Sequence, residues 1–286
     1  MRRLNRAAFV SELSRANSAA YHIDDGETVL VETSDCRGGY VTRDGILRPD
    51  SPGPNPATGP IEIRGAVPGE AIAVTIHEVR TADWGFIGGG GEGDEVTLIG
   101  IADGVAVYPW GLRAPVDPIV GVIGVAPPGD PIPTTTPSDW GGNLDTIDVC
   151  AGATVYLPVA VPGAMLAVGD VHALQGDGEC SGTGIECAAE VTLTAHRVTD
   201  PIWPALYLVR DDRLMLFGHG DSVDEAAWAA VEAMSKLLSK LTGLSEIEGC
   251  RLLSTVGDVR ISQIVNPKKT CRAIIPREAL PEHWPF

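Results

Sequence analysis

The chain is expected to fold as a predominantly β protein of the α+β class, a β-sandwich or barrel-like body with a smaller α/β part towards the C-terminus. Three observations predict this. Short runs rich in β-branched residues recur along the first two thirds, 34 glycines and 22 prolines separate them, and one long amphipathic helical pattern appears late, at Ser222–Thr242. Runs of this length between Pro and Gly turns read as strands, and strands followed by helices argue for segregated layers.

In chain order, Thr28–Glu32, Ile61–Arg64, Ile72–Val79, Val96–Ile99, Val155–Val159, Met165–Val168 and Val191–Ala195 are the expected strands. Arg48–Pro60 and Ala126–Pro137 read as loops, because proline fixes φ and removes a backbone donor. The glycine run Gly88–Gly91 lacks the Lys-Ser/Thr that follows in a phosphate-binding loop and reads as a flexible rim. Ala66-Val-Pro-Gly, with Ala73-Val74 after it, recurs as Ala160-Val-Pro-Gly, with Ala167-Val168 after it. This internal echo suits two strand-turn-strand units facing one another, with a site built between lobes. Ser222 and Glu225 supply a capping box for the long helix, Ala227, Val231, Met234, Leu238 and Leu241 an apolar stripe, and Gly243 its stop. A second, short helix begins at Ser245 with Glu248, is weakened by Gly249 and Gly257, and leads into a strand Val259–Val265. A single unit over 1–286 is expected, with a β-rich body over 20–205 that carries the site and an α/β part over 206–286.

Asp and Glu number 38 against 21 Lys and Arg, a net charge of −17. Such a balance argues against a nucleic-acid surface, which needs a basic footprint, and points to a small-molecule partner. The N-terminus begins with arginines, but Ser11, Glu12, Ser14 and Arg15 interrupt its apolar stretch, so no secretory signal is expected. No apolar run approaches the roughly 18 residues that would span a bilayer, and no membrane partner is expected. The cysteines at 36, 150, 180, 187, 250 and 271 form no C-x-x-C pair or compact framework, which suits a reduced, cytoplasmic protein. A homo-oligomer, a dimer, is the expected assembly.

Chemistry concentrates in Gly169–Glu190, GDVHALQGDGECSGTGIECAAE. Asp170, His172, Gln175, Asp177, Glu179, Glu186 and Glu190 share this turn-rich segment with interleaved glycines, which let side chains converge as a divalent metal or acid/base site requires. The plain alternative is an acidic surface hairpin. Asp170 and His172 lie two apart at the end of an apolar strand, so extended geometry projects them from one face. Glu179 follows a Gly-Asp-Gly turn that can hold a general base rigidly. Glu186 would return beside Asp170 and His172 in a hairpin-like pair and suits a ligand as well as a base, so the roles of the two glutamates stay open. Asn143 and Asp145, in Gly-Gly-Asn-Leu-Asp, are also two apart, with an ordinary Asx turn as the alternative. Cys36 is either a nucleophile that needs a base beside it or the buried neighbour of a metal-binding Asp35, and the second reading is favoured.

The segment Gly141–Leu193 resembles the signature region of the acetamidase/formamidase family, with GGN-x-D, LPV-x-VPGA, GD-x-HA-x-QGDGE and G-x-x-IE in that order. Thr33-Ser34-Asp35-Cys36 resembles the family's T-x-DC segment, Asn55–Pro60 its NP-x-TGP turn and Asp258–Pro267 its D-x-R-x-(S/T)-Q-x-VN-P stretch. The resemblance implies a largely β fold with a smaller α/β part, and a hydrolase that converts a short-chain amide and water to a carboxylic acid and ammonia. The chain has no G-x-S-x-G elbow, no H-E-x-x-H and no GGSSGG segment. Elimination and resemblance together favour metal-assisted attack of water. The expected cofactor is zinc, with calcium as a candidate second ion, held by Asp35, Asp145, Asp170, His172 and Glu186 in some combination. Glu179 is the expected proton shuttle, with Glu186 the other candidate, and Asn143, Gln175 and Asp177 orient the substrate or the ligands. The alternatives are a hydrolase of a bulkier amide, a lactam or an N-formyl compound, and a non-catalytic metal- or small-molecule-binding protein on the same fold.

Overall fold

Strand residues alternate between two apolar environments, and the alternation builds the layers. Ala73, Tyr156, Leu214, Leu216 and Ala273 pack towards the helices, whereas their neighbours Val74, Val155, Met215 and Ile274 belong to the main core. The computed structural model describes residues 1–46, 48, 54–88 and 95–280. Residues 49–53 of the expected loop Arg48–Pro60 and residues 89–91 of the glycine run lie outside the described residues.

A nine-stranded sheet runs in the order Arg2–Leu4, Thr28–Thr33, Ala189–Val198, Ala71–Thr81, Thr154–Pro158, Tyr207–Arg210, Arg213–Gly220, Lys269–Pro276, Asp258–Gln263. In a second, eleven-stranded sheet, Leu166–His172 pairs antiparallel with Ile119–Gly124, Ala57–Ile63 and Glu186–Cys187. The main core joins the two sheets, with Ile72, Val74 and Ile76 from one and Val120, Val168 and Val171 from the other. The protein is thus predominantly β and of the α+β class. No helix among the described residues is long and apolar enough to cross a membrane.

Two helices, α1 (Val223–Thr242) and α2 (Glu246–Val256), cover the C-terminal strands of the nine-stranded sheet. Ser222 Oγ accepts from Glu225 N at 3.2 Å, but the Glu225 carboxylate accepts from Asp221 N, one residue before the expected partner. Gly243 ends α1 with φ 74°. The buried face of α1 is Ala226, Ala230, Met234, Ser235, Leu237 and Leu238; it keeps Met234 and Leu238 of the expected stripe, with Val231 and Leu241 half-buried at its edge, and is centred on Ala226 and Ala230 rather than Ala227. The reason is a close approach: a Cβ at Gly218 would lie 2.3 Å from Ala230 N, so α1 rests its small residues directly on that strand.

The expected strands are present with shifted ends, and one correction concerns proline. Ala57–Ile63 is a strand although it starts inside the expected loop and contains Pro60. Its register against Leu166–His172 shifts between Leu166 and Val168, so Pro60 sits at an irregularity where the ladder needs no donor. Ile132–Pro133, inside the second expected loop, pairs with Glu12–Leu13.

The two Val-Pro-Gly turns lie against each other. Gly69 N donates to Val159 O and Val159 N to Glu70 O, while Ile63 N donates to Gly163 O and Gly163 N to Ala66 O. Strand Ala57–Ile63 of the first unit pairs with Leu166–His172 of the second, and Ala71–Thr81 of the first pairs with Thr154–Pro158 of the second. Each unit therefore begins in one sheet and ends in the other, in opposite order.

Candidate active site

The site forms where the ladder of Leu166–His172 is broken. Asp170 has φ 53°, a left-handed conformation that strains an L residue, and the ladder against Ile119–Gly124 lacks the Gly121–Asp170 pair. A Cβ at Gly121 would lie 2.6 Å from Asp145 Oδ1 and 3.1 Å from Asp170 Oδ2, so only glycine leaves room for both carboxylates. Asp145 (φ 40°), Glu179 (φ 46°) and Asn55 (φ 55°) share the left-handed conformation. Extended-strand geometry is therefore not what brings Asp170 and His172 together. A strained bend aims Asp170, and its Oδ1 ends 3.6 Å from His172 Nε2.

Antiparallel pairing sets Glu186 opposite His172, and Glu186 Oε1 lies 3.1 Å from His172 Nε2. On the other side of the ring, His172 Nδ1 lies 2.7 Å from Gln175 Oε1, and Gln175 Nε2 donates to Asp145 O at 2.7 Å. That second bond fixes the amide orientation of Gln175, so its oxygen must accept from Nδ1–H. His172 Nε2 then faces the carboxylates, which is the tautomer of a metal-ligating imidazole. A Cβ at Gly184 would lie 2.7 Å from His172 Nδ1, so the ring also depends on glycine there. Asn266 Nδ2 donates to Asp145 Oδ2 at 2.6 Å and Asn55 Nδ2 to Asp170 Oδ2 at 2.7 Å.

Six buried atoms in this cluster have no hydrogen-bond partner among the described residues: Asn143 Oδ1, Asp145 Oδ1, Asp170 Oδ1, His172 Nε2, Glu179 Oε2 and Glu186 Oε2. The contact between His172 Nε2 and Glu186 is close but lacks hydrogen-bond geometry. Three sets of ligand atoms converge to within 4.8 Å of one another: Asp145, Asp170 and His172; His172, Glu179 and Glu186; and Cys36, Asp170 and Glu186. Orphaned buried acceptors cost free energy unless a positive charge lies among them, and an imidazole nitrogen with several carboxylate oxygens is a donor set that suits a divalent cation.

The electrostatics follow from this crowding. Burial, then the charge of Asp145, raises Glu179 far above the ordinary carboxylate range; burial likewise raises Asp145 and Glu186. Burial alone would disfavour the His172 imidazolium, but Glu186 and Asp170 outweigh it and hold the ring's pKa well above the usual histidine range.

A family model described as the acetamidase/formamidase family matches residues 125–281. The chain belongs to the acetamidase/formamidase family. Acetamidase from Bacillus halodurans has a similar structure, with a TM-score of 0.91 and 37% identity over 96% of this chain and 97% of that one. Acetamidase from Yersinia enterocolitica gives 0.90 and 27% identity over 98% and 93%. A Schizosaccharomyces pombe relative with a provisional formamidase name is 30% identical over 61% of this chain, and the chain spans 60% of that relative's length.

Within the acetamidase/formamidase segments, the structure separates the expected site residues. Asp145, Asp170, His172, Glu179 and Glu186 converge, all buried. Asp35 is buried nearby, but its Oδ1 accepts from Arg37 N at 2.8 Å and Gly39 N at 3.1 Å, and it belongs to none of the converging sets, whereas Cys36 does. Burial, with Glu186, Asp170 and Asp35 nearby, pushes the Cys36 thiol well above its usual range, which disfavours a thiolate. Gln175 is engaged with His172 and Asp145. Glu190 lies outside the cluster, in ion pairs with Arg3 at 2.6 Å and Arg80 at 3.4 Å.

Asp177 is held by Arg272. This arginine is completely buried: its Nε donates to Asp148 Oδ2 at 2.7 Å, Nη2 lies 3.0 Å from Asp177 Oδ1, and Nη1 donates to Ile261 O at 2.8 Å. Gly178 N donates to Ser262 O and Ile264 N to Gly178 O, so the Glu179 turn is stitched to the C-terminal strand pair. Sequence reasoning missed Asn55, Asn266, Gly121 and Arg272. Asn55 and Asn266 fall within the NP-x-TGP and VN-P segments, which was a usable signal; nothing local marks Arg272.

A cleft of about 280 Å³ reaches this cluster, lined by Glu179, Gln175 and Gly184 together with Ile87, Tyr108, Leu174 and Ile185. Larger clefts, of about 520 and 550 Å³, lie by Trp140 and Trp203 and touch none of the converging carboxylates.

Proposed function

We propose that this chain hydrolyses a linear amide, consuming water and giving a carboxylic acid and ammonia, with the help of a divalent, zinc-like metal ion. The observation that carries the reading is the convergence of orphaned carboxylate oxygens on His172 Nε2 while Nδ1 is tied back to Gln175. Asp145, Asp170, His172 and Glu186 would hold the ion, with Cys36 at the margin. Asp170, His172 and Glu186 each belong to two of the three converging sets, so shared carboxylates would allow a second, harder cation such as calcium beside the first. When bound, the ion supplies polarisation of the amide carbonyl and acidification of the attacking water.

The chain's own residues supply the rest. Glu179 stands between the cleft and the buried cluster, and its strained, enclosed turn keeps Oε2 in place. Its position beside the cleft, with Oε2 unpartnered, fits a carboxylate that takes a proton from the attacking water and hands it to the departing nitrogen once a bound cation offsets the crowding of negative charge. Gln175 orients the imidazole, and Asn143 Oδ1 is available to accept an N–H of the substrate amide. The six cysteines are free, which supports a reducing, cytoplasmic setting.

The test is metal analysis of the purified protein combined with ammonia release from short linear amides, before and after chelation and metal restoration. Expected is bound divalent metal with turnover lost on chelation and regained on reloading. Full activity in a metal-free preparation would overturn the mechanism, and bound metal without turnover of any amide would leave a binding protein.

A further inference from the structure

The cleft beside Glu179 has a wall that the chemistry of the carboxylates does not require. Its polar lining is Glu179, Gln175, Asp177, Cys180 and Thr183, with His172 directly behind Gly184, and its apolar lining is Ile87, Tyr108, Leu174 and Ile185. Ile87 ends the strand Trp84–Ile87 and Tyr108 follows the strand Val105–Val107, both outside every acidic segment. Ile87, Tyr108 and Leu174 pack against the main core, and Ile185 N donates to Leu174 O at 2.9 Å, so this wall is anchored rather than a loose flap. Its volume of about 280 Å³ sits at the lower edge of ordinary small-ligand sites, about 300–1,000 Å³. A one- or two-carbon amide held at Glu179 would leave most of that space, and nearly all of the apolar wall, to water.

We infer that the amide taken by this site carries an apolar substituent larger than methyl, aliphatic or aryl, lying along Tyr108, Ile87 and Leu174 while the amide group reaches Glu179. The inference rests on the amidase reading above. The substituent gains by leaving water for an apolar surface, and a hydrophobic pocket separates substrates by roughly 10–200-fold per methylene it buries well. On the acyl side the substituent leaves ammonia as the second product, as in that reading; on the nitrogen it would give an amine and change that product while keeping the amide hydrolysis.

The experiment compares kcat/KM of the metal-loaded enzyme for acetamide, butanamide, hexanamide and phenylacetamide, with N-butylacetamide and N-benzylacetamide as the nitrogen-side arm. Expected is a rise of at least tenfold from acetamide to the best amide with a large apolar group, and whichever arm rises locates the substituent. In Tyr108→Ala, which shortens the wall, and Tyr108→Trp, which fills the cleft, the ratio of kcat/KM for that amide over acetamide should fall at least tenfold. Agreement between two variants that change the cleft in opposite directions excludes a simple folding defect. Acetamide turned over as well as or better than every larger amide would overturn this inference and leave the amidase reading standing. No turnover of any amide by loaded enzyme would overturn both.

Discussion

Gln175 fastens the imidazole of His172 to the backbone carbonyl of Asp145, with both contacts at 2.7 Å. The relationship sets which nitrogen faces the carboxylates, and it spans two loops that are thirty residues apart. Replacing Gln175 by Leu keeps much of its volume and removes both bonds. Partners that orient a ligating histidine contribute about 10–100-fold to metal affinity, so zinc binding to Gln175→Leu should weaken by about that factor. Competition with a chromophoric chelator reads it, and unchanged affinity would show that packing alone orients His172.

Glu179→Gln preserves shape and removes the proton acceptor. Metal content should persist while kcat falls by roughly 10²–10⁴-fold, the usual contribution of a positioned acid or base. If this variant turns over amide normally while Glu186→Gln is inactive with metal bound, the two glutamates exchange roles.

Cys36→Ala should keep a measurable fraction of amide turnover, because burial and three neighbouring carboxylates hold the thiol protonated. Chelation of the wild-type protein should abolish turnover reversibly. Complete loss in the variant with metal and fold intact would instead point to covalent catalysis through the thiol.

Arg272→Met leaves Asp148 and Asp177 without their shared buried partner. Breaking a buried pair from one side costs about 3–5 kcal/mol, so the urea midpoint should drop markedly, and Arg272→Lys should recover part of the loss. A midpoint unchanged in Arg272→Met would mean that the two acidic loops hold their places without it.

His219 keeps part of its ring exposed but encloses Nε2, and burial pushes its pKa down to about 4. An unfolded histidine titrates near roughly 6.5, so on acidification the unfolded chain takes up its proton first. The stability contributed by neutral His219 is full above about 6.5 and is lost as pH falls towards 4. Thermal midpoints of wild type and His219→Gln between about pH 7 and pH 4.5 should converge as pH falls. Parallel curves would contradict the assignment.

Much of this was legible in the sequence for reasons of local spacing. The β-rich body follows from short apolar runs between turns, and the antiparallel return of Glu186 to His172 follows from Gly182–Gly184 between two strands. Where a nonlocal contact decides, the sequence is silent. Nothing local marks Gly121 until Asp145 and Asp170 are set against it. Arg272 likewise carries no local mark of burial until its partners arrive from positions 148 and 177. Asp35 and Cys36 are adjacent, and only the folded turn, with Arg37 N and Gly39 N on Asp35 Oδ1, brings the Cys36 thiol into a converging set. Proline misled at Pro60, because a strand irregularity absorbs its missing donor.

The crossed pairing of the two Val-Pro-Gly units bears on how the molecule can be divided. Because each sheet takes one strand from each unit, neither half of the chain owns a complete sheet, and a break between the halves would leave open strand edges on both pieces. Such halves are interlocked parts rather than separable modules. They would be recovered as a folded protein by mixing, through mutual templating, and not by expressing either one alone.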